Sequence, residues 1–333
     1  MTLRTDYSPD QPREENGRFG EVPDSEKAEN KEKEKEKPEG GKKREPISTS
    51  SALRDKILGN HNSLSDNIYT NGRLPEERKE MHDRILDDIF KGKVPAEGTP
   101  QVVMLGGGPA SGKTTSLEAG KASGEIQLPD EKSRVELDSD RVMSQIDGYK
   151  EMASQTDEAA NYYHHEAAEL TWSAYNEALS GGYDVVYDST GDGKERDFLE
   201  RIDLARQAGC AVNAVYSTCD IETAVRRNQE RYEKGLERFQ SGKSDVPPRW
   251  VPDEDVRSIH RNVTDLLVKH SGKFDSLRLY DTNSNGKPVL IATCDRDGML
   301  KCTEGNRDAL QKFLDKGRIK AYIDKDGTVK IVN

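Results

Sequence analysis

The chain has 333 residues, 32% of them hydrophobic and 34% charged, and a net charge of −11. A composition this polar excludes a chain packed into apolar cores from end to end. The acidic balance argues against a broad electrostatic grip on nucleic acid and agrees better with small anionic ligands held at a local basic site.

From the start to about Ser50 the chain is rich in Pro, Gly, Glu and Lys, with the run Lys31-Glu32-Lys33-Glu34-Lys35-Glu36-Lys37 at its centre. Strict alternation puts like charges at i and i+4, so even a solitary helix gains little there, and residues 1–50 are expected to form a disordered charged extension. Order is expected from Leu74-Pro75-Glu76-Glu77, where Pro and acids open a helix and Met81, Ile85, Leu86, Ile89 and Phe90 form one apolar face. This helix is expected to pack beside the strand that follows it. Strands then alternate with helices: a strand at Gln101 to Leu105, a helix from Thr114, a strand from Ser133 to Leu137, a long helix through Thr171, and a strand from Tyr183 to Tyr187. A helix from Glu195 to Gln207, a strand from Ala211 to Tyr216, helices from Ile221 to Phe239 and Glu254 to His270, and a strand from Leu277 to Tyr280 continue the series. Such alternation implies parallel βαβ units and an α/β fold with helices on both faces of the sheet. Edge strands and a hairpin are expected in the tail, around Pro288 to Ala292 and up to Asp324-Lys325-Asp326-Gly327.

The run Gly106-Gly107-Gly108-Pro109-Ala110-Ser111-Gly112-Lys113-Thr114-Thr115 is a Walker A phosphate loop between a strand and a helix. Gly107, Gly108 and Gly112 allow successive N–H groups of the loop to turn toward one anion, and Pro109, Ala110, Ser111 and Thr115 are expected to complete the loop that holds it. Lys113 reaches the β and γ phosphates, and the Thr114 hydroxyl ligates Mg²⁺. ATP and Mg²⁺ are therefore the expected ligands. Two strand ends supply carboxylates. Val135-Glu136-Leu137-Asp138-Ser139-Asp140 ends in a pair of acids at the edge where ligands bind, and Asp140 is assigned as the base that accepts a hydroxyl proton, although either Asp could cap the next helix. Asp188, at the end of Val185-Val186-Tyr187-Asp188-Ser189-Thr190-Gly191, is placed as a Walker B acid holding Mg²⁺.

These segments, with Gln229-Glu230-Arg231-Tyr232-Glu233 and Pro248-Arg249-Trp250-Val251-Pro252, follow the order seen in zeta toxins, and the chain resembles that family from about Ile85 to Tyr280. The resemblance implies a P-loop kinase that phosphorylates the 3′-hydroxyl of UDP-N-acetylglucosamine, with an antitoxin protein as a partner that blocks the nucleotide site. It places the catalytic base on Asp140, the phosphate lysine on Lys113 and two phosphate-clamping arginines on Arg231 and Arg249. Guanidinium forks would neutralise charge developing on a transferred phosphoryl group, although a solvated charged helix also accounts for Arg231 and its neighbours. The acid after the third strand is commonly Glu in the best-known zeta toxins and is Asp188 here. His165 and Glu166, on the long helix, and Thr190, in the strand-end run, are candidates for acceptor contact, while an exposed helix face would explain the first two equally. Residues 51–333 then form one kinase domain. The opening stretch from Tyr7 to Gly20 also resembles a short leader of some phage-encoded structural and cargo proteins, and a plain polar tail explains it as well.

The sequence lacks the Asn-Lys-x-Asp guanine reader of GTPases and the length needed for motor subdomains. A kinase acting on another acceptor (a nucleic-acid 5′-hydroxyl, an antibiotic or a metabolite) and a phage-associated nucleotide-binding protein without catalysis remain alternatives. No apolar run approaches the roughly 20 residues that span a bilayer, and the first residues lack a signal-peptide core, so no membrane partner is expected. Cys210, Cys219, Cys294 and Cys302 have no Cys-x-x-Cys spacing and read as buried free thiols in a reduced, cytoplasmic setting.

Overall fold

Five short apolar segments pair side by side in one direction. In the computed structural model, which describes residues 74–332 apart from 155–158, 192–194, 245–247, 284–286 and 296, they are β1 (Gln101–Gly106), β2 (Arg134–Asp138), β3 (Asp184–Asp188), β4 (Ala211–Thr218) and β5 (Ser276–Asp281). The leader and the charged extension of residues 1–50 lie outside the described residues. Two antiparallel strands, β6 (Val289–Cys294) and β7 (Lys301–Cys302), extend the sheet to the order β2-β3-β1-β4-β5-β6-β7. The described residues fall into two compact units, one formed from residues up to Lys91 together with Ser139–Ser180, the other from Gly92–Asp138 and Gly181–Asn333.

The second unit holds the sheet and the helices α2 (Lys113–Ser123), α6 (Glu195–Gln207), α7 (Ile221–Gln240), α8 (Asp253–His270) and α9 (Arg307–Leu314). On β4, Val212, Ala214 and Tyr216 point to one face and Val215 and Ser217 to the other, and all five are buried, as expected for a parallel sheet covered on both sides. Val103, Leu105, Val186, Val215 and Tyr280 form one core cluster, and Leu117 of α2 packs against it. Gly120 brings α2 close to this cluster, since a Cβ there would lie 2.2 Å from Ile126 and 2.6 Å from the Tyr280 hydroxyl. The expected hairpin is present as β8 (Ala321–Ile323) and β9 (Val329–Ile331). The helix α9 was not anticipated in the tail, although its buried Leu310, Phe313 and Leu314 keep helical spacing. Cys210, Cys219 and Cys294 are buried free thiols, and Cys302 is half-buried.

The first unit is helical: α1 (Glu76–Phe90), α3 (Ser139–Met143), α4 (Tyr149–Ala153) and the long α5 (Ala159–Ser180). Here the structure corrects an expectation. Rather than grouping with the strand of the phosphate loop, α1 belongs to this unit and packs on α5, burying Met81, His82, Ile85 and Leu86. The reason is polar as well as apolar. Glu166 of α5 is fully buried and accepts two hydrogen bonds from Arg78, at 2.9 and 2.7 Å, and one from His82 at 2.7 Å, so α1 supplies a guanidinium counter-charge and three donors to this carboxylate. Tyr163 packs edge-on against Tyr149 and Tyr162, at 5.7 and 5.1 Å between ring centres, which ties α4 to α5.

Candidate active site

The phosphate loop is built by backbone that only its own residues tolerate. Gly107 and Gly112 have φ of +133° and +85°, and Ala110 adopts +58°. A Cβ on Gly107 would sit 2.5 Å from both the Ser111 hydroxyl and the Ser217 carbonyl oxygen, so the turn cannot hold a side chain there. Outside the loop, its carbonyls are tied back. The buried His260 of α8 donates from Nε2 to Pro109 O at 3.0 Å, and Thr282 donates from Oγ1 to Ser111 O at 2.8 Å. Burial lowers the pKa of His260 to about 4, with the bond to Pro109 opposing that shift, so at neutral pH the ring is uncharged and its Nε2 proton serves the carbonyl. Lys113 and Thr114 open α2, and at a helix start their N–H groups have no intrahelical acceptor, which suits an anion.

Lys113 Nζ lies 2.9 Å from Asp188 Oδ1 and donates to Ser189 O at 3.0 Å. The sheet register explains this meeting: Leu105 faces Asp188 across β1 and β3, and Asp138 faces Asp188 across β2 and β3. The strand-end run stays bonded to the loop, with Ser189 N donating to Leu105 O at 3.1 Å and Gly107 N to Thr190 O at 3.0 Å. Thr190 thus reaches the loop through its backbone. Thr114 and Asp188 offer a hydroxyl and a carboxylate, hard oxygen donors that fit Mg²⁺. Among the described residues no cluster of three or more His, Cys, Asp or Glu could hold a metal. Mg²⁺ bound through one or two protein oxygens, phosphate and water needs no such cluster.

Asp140 is exposed in the first turn of α3, and the residue preceding that helix is Asp138, so the capping position falls on Asp138. The candidates on α5 separate. His165 is exposed, with Nδ1 3.9 Å from Glu169. Glu166 departs from the expectation of acceptor contact, because it has no exposed surface and is held by Arg78 and His82. Burial alone would raise its pKa, yet the hydrogen bonds of His82 and Arg78 hold it down at about 2. Glu169, one turn further on, has its pKa raised to about 8 by burial and is mostly protonated at neutral pH.

Arg231, on α7, and Arg249, in the irregular segment before α8, belong to parts of the second unit that pack together. Asn228 Nδ2 donates to Val251 O at 2.8 Å, Tyr232 meets Trp250 edge-on at 5.0 Å, and a Cβ on Gly235 would lie 2.6 Å from Pro248. Residues 228, 232 and 235 form one stripe of α7, and Arg231 lies on the same stripe. With Arg227, Lys234 and Arg238 it lines a cavity of about 380 Å³.

The zeta toxin family model matches residues 84–293, well over half of the chain. The chain belongs to the zeta toxin family. Among solved structures, the chain is similar to the native AvrRxo1-ORF1:-ORF2 complex (17% identity, 76% of this chain and 82% of that one, TM-score 0.54). It is also similar to the PezAT chromosomal toxin–antitoxin system of Streptococcus pneumoniae (20% identity, 67% and 82% covered, TM-score 0.51). A third likeness is to AvrRxo1-ORF1:-ORF2 with ATP (16% identity, 81% and 79% covered, TM-score 0.51). At these identities the likeness is one of fold, the α/β P-loop kinase fold. No curated protein matches the chain.

Three residues that support the phosphate loop escaped sequence reasoning. His260 and Thr282 hold loop carbonyls, and Arg227 donates to Thr282 Oγ1 at 3.0 Å and Thr282 O at 2.7 Å. Thr282 directly follows a strand that was read correctly, so its place at the ligand edge was a signal; His260 and Arg227 offered none.

Proposed function

We propose that this zeta toxin is an ATP-dependent phosphotransferase that phosphorylates a hydroxyl of a nucleotide sugar such as UDP-N-acetylglucosamine. The observation that carries the reading is the Lys113–Asp188 pair at 2.9 Å beside the phosphate loop, which joins a phosphate-binding ammonium to a metal-binding carboxylate. In this reading the loop N–H groups and Lys113 bind the β and γ phosphates, while Arg231 and Arg249 neutralise charge as the γ-phosphoryl group leaves ADP. Asp140 takes the proton of the attacking hydroxyl. Mg²⁺, held by Thr114 and Asp188, supplies further charge neutralisation when bound.

Family membership supports phosphoryl transfer, and the nucleotide sugar follows from the family resemblance. The PezAT structure, described as a toxin–antitoxin system, supports an antitoxin partner. Residues 51–333 are read as one kinase domain, and residues 1–50 as an extension outside catalysis. Cytoplasmic action follows from the substrate; among the described residues no helix is long and apolar enough to cross a membrane. The test is incubation with Mg-ATP and a panel of nucleotide sugars, nucleosides and oligonucleotides, read by mass. A gain of one phosphoryl group on UDP-N-acetylglucosamine is expected. Labelling of another acceptor alone would remove the nucleotide sugar, and labelling of none would remove the activity.

A further inference from the structure

Residues beyond 293 lie outside the region matched by the family model, yet one of them reaches the edge of the sheet next to the phosphate loop. Lys316 follows α9, whose Leu310, Phe313 and Leu314 are buried. The next turn is clamped onto α8: Asp265 Oδ1 accepts the N–H groups of Arg318 at 2.7 Å and Ile319 at 3.0 Å. A Cβ on Gly317 would lie 2.6 Å from the same Asp265 oxygen, so glycine permits this approach. The clamp directs the Lys316 ammonium inward, where it donates to the Thr218 hydroxyl and, at 3.0 Å, to Cys219 O.

The first of these acceptors ends β4, the strand beside β1, the second directly follows it, and they back the phosphate loop. Thr218 O accepts the N–H of Thr282 at 2.9 Å, and the Thr282 hydroxyl donates to Ser111 O of the loop. Cys219 Sγ lies 3.9 Å from Ala110 O, and the Ser217 carbonyl oxygen lies 2.5 Å from where a Cβ on Gly107 would be. Displacement of the β4 end would therefore displace the loop. We propose that Lys316 is a positioning residue of the nucleotide site: the C-terminal segment supplies an ammonium that fixes the end of β4 behind the phosphate loop, and nucleotide affinity depends on it. This rests on the reading that the loop binds ATP.

Groups facing Lys316 come from several elements: Cys219 and Asp220 after β4, Asp281 at the end of β5, and His260 on α8, while Arg227 of α7 acts on Cys219. Burial lowers the lysine pKa to about 8, with Cys219, Asp281 and Asp220 opposing it. Its charge is thus present below pH 8 and is lost as pH rises through that value, far earlier than for a free lysine.

The test is calorimetric titration of the full chain with Mg-ATP between pH 6.5 and 9.5, for wild type, Lys316→Met and Lys316→Arg, with melting temperatures measured alongside. Wild-type affinity should fall as pH passes about 8. Lys316→Met should bind about tenfold more weakly at pH 7, as loss of a charge-assisted hydrogen-bond anchor implies, and show no step near pH 8. Lys316→Arg should keep affinity and lose the step, and it answers the question even if the Met variant folds poorly. Wild-type affinity in a folded Lys316→Met variant, or a pH 8 step retained in Lys316→Arg, would overturn the proposal while leaving ATP binding intact. A wild type that binds no ATP would overturn the reading beneath it as well.

Discussion

Gly108→Ala tests whether His260 sets the shape of the phosphate loop. Gly108 is not among the residues with positive φ, so alanine is allowed by the backbone and any penalty is steric. The added Cβ would stand 2.3 Å from His260 Cδ2 and 2.5 Å from Nε2, more than an ångström inside ordinary contact. His260 is 2% exposed and bonded to Pro109 O at 3.0 Å, so its ring has no space to retreat into. Overpacking of this kind costs about 1–3 kcal/mol. The loop is softer than the packed helix, so the loop should give way and break the Pro109 bond. Mg-ATP affinity measured by calorimetry should then fall by roughly ten- to a hundredfold, equivalent to about 1.4–2.8 kcal/mol. Adding His260→Ala removes the opposing ring, and the double variant should bind more tightly than Gly108→Ala alone, with a coupling of about 0.5–3 kcal/mol. Wild-type affinity in Gly108→Ala, or no relief from His260→Ala, would refute the claim that this contact shapes the loop.

Lys113→Ala should largely abolish Mg-ATP binding, because one ammonium supplies both binding and charge stabilisation at the phosphates; calorimetry on the folded variant checks it. Arg78→Met leaves Glu166 buried beside a single partner and should destabilise the protein by about 3–5 kcal/mol in urea unfolding. In the wild type the same pair predicts acid sensitivity: Glu166 has a folded pKa of about 2 against 4.5, so its stabilisation is full above 4.5 and is lost as pH falls toward 2. Deletion of residues 1–50 should leave phosphoryl transfer near normal in a steady-state assay, since that segment carries too little apolar surface to belong to a packed site.

What the sequence disclosed was local. The phosphate loop is contiguous, and Asp188 ends an apolar strand, so the register that brings it to Lys113 follows from a parallel sheet whose strands were all visible. Misreadings came from contacts between distant parts of the chain. Glu166 reads as a candidate for acceptor contact or as part of an exposed face of α5 because Arg78 and His82, which hydrogen-bond it in the interior, lie 88 and 84 residues earlier. The same distance effect assigns α1 to the helical unit with α5. His260 was passed over because its acceptor, Pro109 O, is 151 positions away. Lys316 sits in no motif, and its role depends on Asp265 turning the chain end inward.

The central claim, phosphoryl transfer with Asp140 as base, is tested most directly by the turnover of Asp140→Asn at saturating Mg-ATP and UDP-N-acetylglucosamine, with ATP affinity measured on the same protein. Asparagine keeps the shape of the side chain and removes its ability to accept a proton, so turnover should fall by a factor of about 10² to 10⁴ while ATP affinity stays close to wild type. Turnover at the wild-type rate in a folded Asp140→Asn protein would contradict the account.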